Sequence, residues 1–262
     1  MIAREACKSR APHRLEPRSM KPPRVYHRAP MQVGRDATLD EAASRHLTRV
    51  LRMRSGDTVT LFDGAGGEYH GAIRSVERDS VRVRVERFDA VERESALRVG
   101  LAQVVSAGEL MDLTVQKAVE LGVAWIQPLL ARRGKVRLEP ERAAKRVQHW
   151  ERVAVAACEQ CGRNRLPDVR PVLELAQWLG TRESGQCGLL LDPESSLRLS
   201  QAGPLEGEIT LLAGGESGFA EEDSALARQW GFRAVQLGPR VLRTETAGLA
   251  ALAALQALRG DF

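Results

Sequence analysis

The chain has 262 residues, 43% of them hydrophobic and 28% charged, which is enough for one large domain or two small ones. No run approaches the ~18 uncharged apolar residues of a membrane-spanning helix, so we expect neither an integral membrane protein nor a membrane partner. Four cysteines are too few for a disulfide scaffold, and residues 1–19 lack the apolar segment of a secretory signal. The expected compartment is therefore the cytoplasm.

The net charge of +5 is concentrated in the first third of the chain. Residues 1–19 and residues 20–91 each carry a net charge of +3, whereas residues 92–262 carry −1. Such a basic excess fits either a polyanionic partner such as nucleic acid, or a solvated surface with a loose tail. Residues 1–19 show no periodicity and are predicted to form a disordered basic extension, so both Met1 and Met20 are candidate start sites.

Residues 20–91 are predicted to form a small β-barrel, because short strands are joined by turns. Examples are Thr58–Phe62, the Asp63-Gly64 turn after it, and the alternating strand centred on Val83. A capping box, Thr38-Leu-Asp-Glu41, predicts the start of a helix. The apolar face of that helix should hold Ala43, Leu47, Val50 and Leu51. Basic residues form a stripe on another face, which is either a solvated surface or a nucleic-acid contact: Arg45, Arg49 and Arg52.

A polar linker, residues 91–95, marks the boundary to the second part, residues 92–262, where strands and helices alternate from Leu97 onward. The predicted strands are 97–105, 123–130, 187–191, 208–213 and 234–237. The predicted helices begin near Gly108, Glu139, Pro171, Ala220 and Thr244. This alternation predicts an α/β domain whose mostly parallel sheet has helices on both faces.

Two helices of this part carry notable apolar surfaces. On the long helix Trp150, Ala154 and Cys161 share one stripe, so its two cysteines are interpreted as packing residues, and no metal site is expected. The last helix, residues 247–258, is rich in alanine and nearly apolar all round. Such a helix should be buried, and an interface between two chains is one way to bury it.

Two glycine-bearing turns follow strands near the C-terminus. The first is Ala213-Gly-Gly-Glu-Ser-Gly-Phe219, which matches neither a Walker loop nor a dinucleotide-binding fingerprint. The second is Leu237-Gly-Pro-Arg-Val-Leu-Arg-Thr-Glu-Thr246, which joins a strand end to a helix start. Because ligands of open α/β sheets bind beyond the carboxyl ends of strands, both turns are predicted to line a ligand site.

Three more stretches accompany the second turn: Arg24-Val-Tyr-His27, the segment from His46 to Gly64, and Glu159-Gln-Cys-Gly-Arg163. Together the four stretches resemble the SPOUT-class methyltransferases that modify uridine N3 in 16S ribosomal RNA, over about residues 21–260. The resemblance implies a PUA-like RNA-binding barrel over residues 20–91 and a trefoil-knotted α/β methyltransferase domain over residues 92–262. It also implies a homodimer that acts on ribosomal RNA or on the small ribosomal subunit.

The resemblance further implies S-adenosylmethionine as the cofactor. Its binding residues would be Ala213, Gly214, Gly218, Leu237, Gly238, Arg240 and Leu242. The catalytic candidates are Arg243, Arg163, Glu216 and Glu245. Arg243, and after it Arg163, would stabilise the uracil anion, while a glutamate would accept the N3 proton or orient an arginine. An ion pair of Arg240 and Arg243 with Glu245 is the structural alternative. The candidates for RNA contacts are Arg24, Arg45, Arg49 and Arg52.

One departure separates this chain from the family pattern. Its glycine turn has Gly215 and Ser217 where the family usually has proline and glycine, which predicts a weakened cofactor affinity. The departure leaves open a second hypothesis, an RNA-binding protein of the same fold that has lost methylation. A third hypothesis, a nicotinamide-dependent oxidoreductase, is disfavoured because no early Gly-x-Gly-x-x-Gly precedes an acidic residue.

Overall fold

Two sheets organise the part of the chain that the computed structural model describes, residues 21–78, 80–183 and 185–262. The predicted extension over residues 1–19 lies outside these described residues. The first sheet is built by residues 24–89 and the second by residues 99–235. No helix in the described ranges combines the length and the apolar character needed to cross a bilayer.

The first sheet has five strands in the order β1-β3-β4-β5-β2, and only the β1–β3 pair is parallel. The strands are β1 (Arg24–Tyr26), β2 (Asp36–Thr38), β3 (Thr58–Phe62), β4 (Glu68–Val76) and β5 (Val81–Asp89). The alternation predicted in β5 is confirmed, since its three valines are buried and the arginines between them are exposed. The buried valines join a small separate core with Val25, Leu39, Leu47, Val59, Leu61 and Ile73.

The predicted helix start at Thr38 is wrong, because Thr38 ends β2. Helix α1 (Glu41–Arg45) is capped by Asp40, whose side chain accepts a hydrogen bond from the Ala43 amide at 2.8 Å. A turn of π-helix, His46–Val50, follows directly.

The predicted apolar face of this helix is wrong in its second half. Leu47 is buried, but Val50 is 66% exposed and Leu51 is 42% exposed. In the π-helical turn the Leu51 amide bonds to the His46 carbonyl, five residues back. A spacing of three or four residues therefore no longer keeps side chains on one face.

The second sheet has seven strands, and every pair in it is parallel. Its order is β12-β10-β11-β6-β7-β8, with β9 also pairing with β7. The strands are β6 (Val99–Val104), β7 (Trp125–Leu130), β8 (Asp168–Val169), β9 (Leu173–Glu174), β10 (Cys187–Leu191), β11 (Ile209–Ala213) and β12 (Phe232–Val235). The parallel sheet is as predicted, while the two-residue strands β8 and β9 are too short for a sequence period to predict them.

Among the described residues, five helices cover the two faces of the second sheet, which lies between two hydrophobic clusters. They are α2 (Leu110–Glu120), α3 (Pro140–Cys161), α4 (Leu175–Leu179), α5 (Glu221–Gln229) and α6 (Thr244–Arg259). On α3 the predicted packing stripe is confirmed, because Trp150 and Ala154 are buried and Cys161 packs half-buried against the same core. The other cysteine, Cys158, is fully buried. Burial raises the pKa of the Cys158 thiol to about 12, so this thiol remains protonated at neutral pH.

The first sheet docks onto the second core through β1 and β3. Phe62 is fully buried among residues of the second core, and Tyr26 packs against it with ring centroids 5.7 Å apart. The Tyr26 amide also donates to the Glu159 carboxylate of α3 at 3.0 Å. The two predicted units therefore share a packed interface.

Candidate cofactor and active site

A cleft of about 940 Å³ lies beyond the carboxyl ends of three neighbouring strands, β12, β10 and β11. Turns that leave these strands form its walls, residues 192–196, 214–219 and 241–245. A smaller adjoining cavity of about 50 Å³ is lined by Leu237, Gly238, Arg240 and Leu242. The two glycine-bearing turns therefore lie together at the strand ends, as their positions after strands predict.

The turn after β11 is tight and depends on one glycine. The Gly218 amide donates to the Gly215 carbonyl at 3.0 Å, and Gly218 has φ +66°, which is unfavourable for any residue with a Cβ. The Gly215 position faces Val104, where an added Cβ would lie 3.1 Å from the valine side chain. Both Gly214 and Gly218 line the cleft, whereas Ala213 is fully buried at the end of β11.

A buried polar network joins this turn to the start of α6. The Thr244 hydroxyl donates to the Gly214 carbonyl at 2.7 Å, and it lies 3.2 Å from both the Gln103 side-chain amide and the Ser106 hydroxyl. The same Gln103 amide donates to the Gly214 carbonyl at 3.1 Å. The carbonyl of Gly214 is thus held by two donors, which sets the spacing of two cleft walls.

The start of α6 brings Arg243 and Glu245 to the cleft. Arg243 is the N-cap residue, has an exposed side chain, and forms no ion pair with any described residue. Glu245 is only 9% exposed, lines the cleft, and has no side-chain hydrogen bond to another described residue. The alternative ion pair of Arg240 and Arg243 with Glu245 is therefore absent from the described residues.

Glu216 has a positional role in this arrangement. Its carboxylate accepts a hydrogen bond from the Ala107 amide at 3.0 Å, which ties the turn after β11 to the loop after β6. The side chain remains exposed at the rim of the cleft.

Arg163 lies apart from the cleft. It is 5% exposed, its Nε donates to Glu94 at 2.8 Å, and its Nη1 donates to the carbonyls of Val119 and Val123 at 3.0 Å. Burial alone would lower the pKa of Arg163, but the bonded Glu94 carboxylate raises it. These contacts engage its guanidinium in the linker and the second core, so the placement favours a structural role over the catalytic one.

Arg24 also lies within the interface of the two sheets. It pairs with the Glu68 carboxylate and donates to Asn164 Oδ1 at 2.5 Å and to the Arg163 carbonyl at 3.2 Å. The placement favours a docking role over the RNA contact that the sequence suggested.

The other three RNA candidates are on the surface of the first sheet's unit. Arg45 pairs with Glu41 at 2.9 Å, and both side chains are about half exposed. Arg49 and Arg52 are exposed and form no ion pair with a described residue. Arg52 has φ +56°, the one positive value outside glycine among the described residues. Arg49 and Arg52 are thus the two cations of the predicted stripe that have no carboxylate partner among the described residues.

The cleft wall after β10, residues 192–196, was not predicted from the sequence. Asp192 and Pro193 line the cleft directly after this strand, and Arg228 of α5 pairs with Asp192 at 3.0 Å. The rule that ligands bind beyond strand ends applies equally to β10 and was a sufficient signal. Arg133, after β7, also lines the cleft, and no local motif marked it.

The lining is suited to a cationic ligand with an apolar part. Acidic residues outnumber basic ones, with Asp192, Glu194, Glu216, Glu221 and Glu245 against Arg133, Arg228 and Arg243. Apolar side chains add a second kind of surface, among them Leu191, Phe219, Val241 and Leu242. In the described ranges no group of three His, Cys, Asp or Glu is placed to hold a metal ion.

Two family models match the chain. One describes an RNA methyltransferase domain and matches residues 93–256, and the other describes an RNA methyltransferase PUA domain and matches residues 39–86.

Relatives and solved structures give the same result. Ribosomal RNA small subunit methyltransferase E of Bacillus subtilis is 31% identical, over 82% of this chain and 89% of that protein. The same-named protein of Neisseria gonorrhoeae, crystallised with S-adenosyl methionine, is 38% identical with a TM-score of 0.86, over 92% and 99% of the two chains. A Legionella pneumophila methyltransferase in complex with the cofactor SAM is 38% identical with a TM-score of 0.89, over 93% and 100%.

These matches confirm the predicted fold class, a mostly parallel α/β sheet combined with a PUA-like barrel, and they cover both parts of the molecule. The chain belongs to the family of ribosomal RNA small subunit methyltransferases E.

Proposed function

We propose that this chain transfers a methyl group from S-adenosylmethionine to N3 of a uridine in the 16S ribosomal RNA of the small subunit. The observation that carries the proposal is the cleft, where the turns after β11 and β12 meet Arg243 and Glu245 at the start of α6. Relatives of this family are named for action on small-subunit ribosomal RNA. No metal is required, since the reaction consists largely of aligning two reactants.

The residues present fit the cofactor. S-adenosylmethionine supplies an electrophilic methyl group on a cationic sulfonium, and the cleft has an acidic excess that favours cations. Its volume of about 940 Å³ lies within the usual range for small-molecule sites, about 300–1,000 Å³. Backbone groups at Gly214, Gly218, Leu237 and Gly238 would hold the adenosine part, and Leu242 lines both cavities. Ala213 and Arg240 complete the proposed cofactor set from the end of β11 and the smaller cavity.

The chain's own residues then act on the uracil. Attack by N3 requires loss of a weakly acidic proton, and a cation beside the uracil carbonyls stabilises the anion. Arg243 has that role, because it is exposed in the cleft and forms no ion pair with a described residue. Glu245 accepts the proton, because Glu216 already accepts the Ala107 amide and holds the loops together.

We propose residues 20–91 as the RNA-binding barrel and residues 92–262 as the methyltransferase domain. The barrel's own hydrophobic core and the separate family matches support this division. Arg49 and Arg52 contact RNA phosphates from the barrel, and Arg45 does so when released from Glu41.

We also propose a homodimer and a cytoplasmic location. Helix α6 leaves alanines half-buried and Leu258 56% exposed, and Leu113 of α2 is 41% exposed. A second copy would cover this apolar surface, which sedimentation velocity can test through the molar mass. The cytoplasm is where ribosomal RNA is found with its processing enzymes.

Mapping modified nucleotides in 16S ribosomal RNA, with and without the gene, tests the function. One uridine should lose its N3 methyl group in the deletion and regain it with the purified protein and S-adenosylmethionine. RNA binding without methyl transfer would instead favour the alternative function, a binding protein of the same fold. The altered glycine turn is the observation behind that alternative.

A further inference from the structure

One segment of the methyltransferase domain has a charge opposite to its surroundings. Residues 131–146 contain seven basic and two acidic residues, a net charge of +5. The remainder of residues 92–262 has 14 basic and 20 acidic residues, a net charge of −6. A basic segment in an otherwise acidic domain attracts anions to one place rather than to the whole surface.

The segment forms a groove. The loop after β7 and the first turns of α3 enclose a space of about 490 Å³, which we call the basic groove. Its lining is Lys135, Val136, Arg137, Leu138, Arg142, Lys145 and Arg146.

Internal hydrogen bonds hold the loop in shape. Arg137 donates to the carbonyls of Ala131, Arg132 and Gly134 at 3.1–3.3 Å, closing the loop on itself. The Arg132 amide donates to the buried Asp223 carboxylate at 3.0 Å, which fastens the loop to α5. The groove is therefore preformed and does not depend on a ligand for its geometry.

No carboxylate in the described part of the chain pairs with the remaining cations of the groove. Lys135, Arg142 and Lys145 are exposed and form no ion pair or side-chain hydrogen bond with a described residue. Other exposed arginines of the described chain do have a carboxylate partner, such as Arg98 with Glu208 and Arg228 with Asp192. Unpaired cations crowded in one groove repel each other, so a polyanion that spans them is favoured.

The groove and the cleft are both lined by the loop after β7. Arg133 lines the cleft, and Lys135, two residues further along the same loop, lines the groove. Two residues span at most about 7 Å, so a strand whose base enters the cleft has its neighbouring phosphates within reach of the groove.

We propose that the basic groove binds the phosphate backbone of ribosomal RNA beside the target uridine, as a second RNA-binding surface besides the barrel. This inference rests on the proposed function only in taking RNA as the substrate. The groove positions the strand through contacts to phosphates, which arginine and lysine side chains commonly supply.

The test is the salt dependence of binding to naked 16S ribosomal RNA that lacks the modification. The variant is Arg142→Gln with Lys145→Gln, since glutamine retains helix propensity while removing charge. The slope of log K against log salt should fall by roughly 1.4–1.8, at roughly 0.7–0.9 per contact. If the two proteins bind equally at 1 M salt, this slope corresponds at 0.1 M salt to a loss of affinity of roughly 25–60-fold.

The matched control is Arg98→Gln with Arg152→Gln. It removes two exposed charges from the same domain, one of them from the same helix, and neither residue lines the groove or the cleft. The control should leave the salt slope unchanged. Both double variants should retain the wild-type melting temperature and affinity for S-adenosylmethionine, which excludes misfolding as the cause.

An unchanged slope in the groove variant, with wild-type protein binding RNA normally, would overturn the inference and leave the proposed function intact. A variant that binds naked RNA normally but loses affinity for the intact small subunit would overturn it too, because the groove would then contact a ribosomal protein. A wild-type protein that neither binds nor methylates RNA would overturn the proposed function itself.

Discussion

We expect the hydrogen-bond network around Thr244 to hold the turn after β11 against the start of α6. Its hydroxyl has one hydrogen and two lone pairs, and three neighbours lie at bonding distance: the Gly214 carbonyl at 2.7 Å, with Gln103 and Ser106 at 3.2 Å. Thr244→Val keeps the shape of the side chain and removes the hydroxyl. Gly214 and Gln103 still bond each other, whereas Ser106, 1% exposed, loses its partner.

The free energy of unfolding should therefore fall by about 2–3 kcal/mol, combining a lost buried hydrogen bond with an unsatisfied hydroxyl. The affinity for S-adenosylmethionine should fall as well, because Gly214 is no longer tied to the start of α6. A loss of about 1 kcal/mol in the bound state corresponds to about fivefold in the dissociation constant.

Urea unfolding measures the first effect and titration calorimetry with S-adenosylmethionine the second. Thr246→Val is the matched control, since Thr246 lies on the same helix, is exposed, and has no side-chain hydrogen bond to a described residue. It should change the stability by no more than about 0.5 kcal/mol. Thr244→Ser should retain most of both quantities. Equal stability and equal affinity in the two valine variants would refute the role of the network.

Four further changes have defined outcomes. Gly218→Val places a β-branched residue at φ +66°, which strains the turn after β11. In the wild type, S-adenosylmethionine at ~100 times its dissociation constant should stabilise the fold by about 2.7 kcal/mol. The variant should lose this thermal stabilisation while its apo form remains folded. Arg243→Ala should slow single-turnover methylation ~10²–10³-fold without lowering the affinity for RNA or S-adenosylmethionine. Arg243→Lys, or a raised pH, should recover part of the rate. A normal rate in Arg243→Ala would remove Arg243 from the mechanism. Arg49→Ala with Arg52→Ala should lower the salt slope of RNA binding by roughly 1.4–1.8, and an unchanged slope would assign both residues to a solvated surface. Burial alone would raise the pKa of Glu68, but hydrogen bonds from two arginines outweigh burial and hold this pKa below 4.5. The stabilisation that the Glu68 carboxylate contributes is therefore complete above pH 4.5 and is lost as the pH falls through the lowered pKa. In the Glu68→Gln variant, the free energy of unfolding measured with urea should therefore fall less steeply below pH 4.5 than in the wild type.

Long elements with a regular hydrophobic period could be predicted from the sequence, whereas short or irregular elements could not. The valine alternation in β5 and the apolar stripe of α3 are local patterns, which the backbone period turns into buried faces. The apolar face of the helix after β2 was predicted wrongly because a π-helical turn changes the number of residues per turn. No residue between His46 and Val50 indicates such a turn in the sequence.

The candidate site was partly predictable for the same reason. The glycine turns and the start of α6 follow strands directly, so their meeting at one sheet edge follows from parallel strand order. Which loops share that edge was harder to predict, because β10, β11 and β12 are neighbours in an order that differs from their order in the chain.

The sequence by itself determined what neighbouring residues can decide: strands, helices, the turns that need glycine, and the family resemblance carried by contiguous motifs. Only the tertiary structure decided the partners of each charge. Arg163 bonds Glu94, 69 residues away, and Arg24 bonds Glu68, 44 residues away, while Lys135 and Arg142 remain without a partner among the described residues. The physical reason is that the role of a charged side chain depends on the burial and the counter-charge around it, and folding brings both from distant parts of the chain.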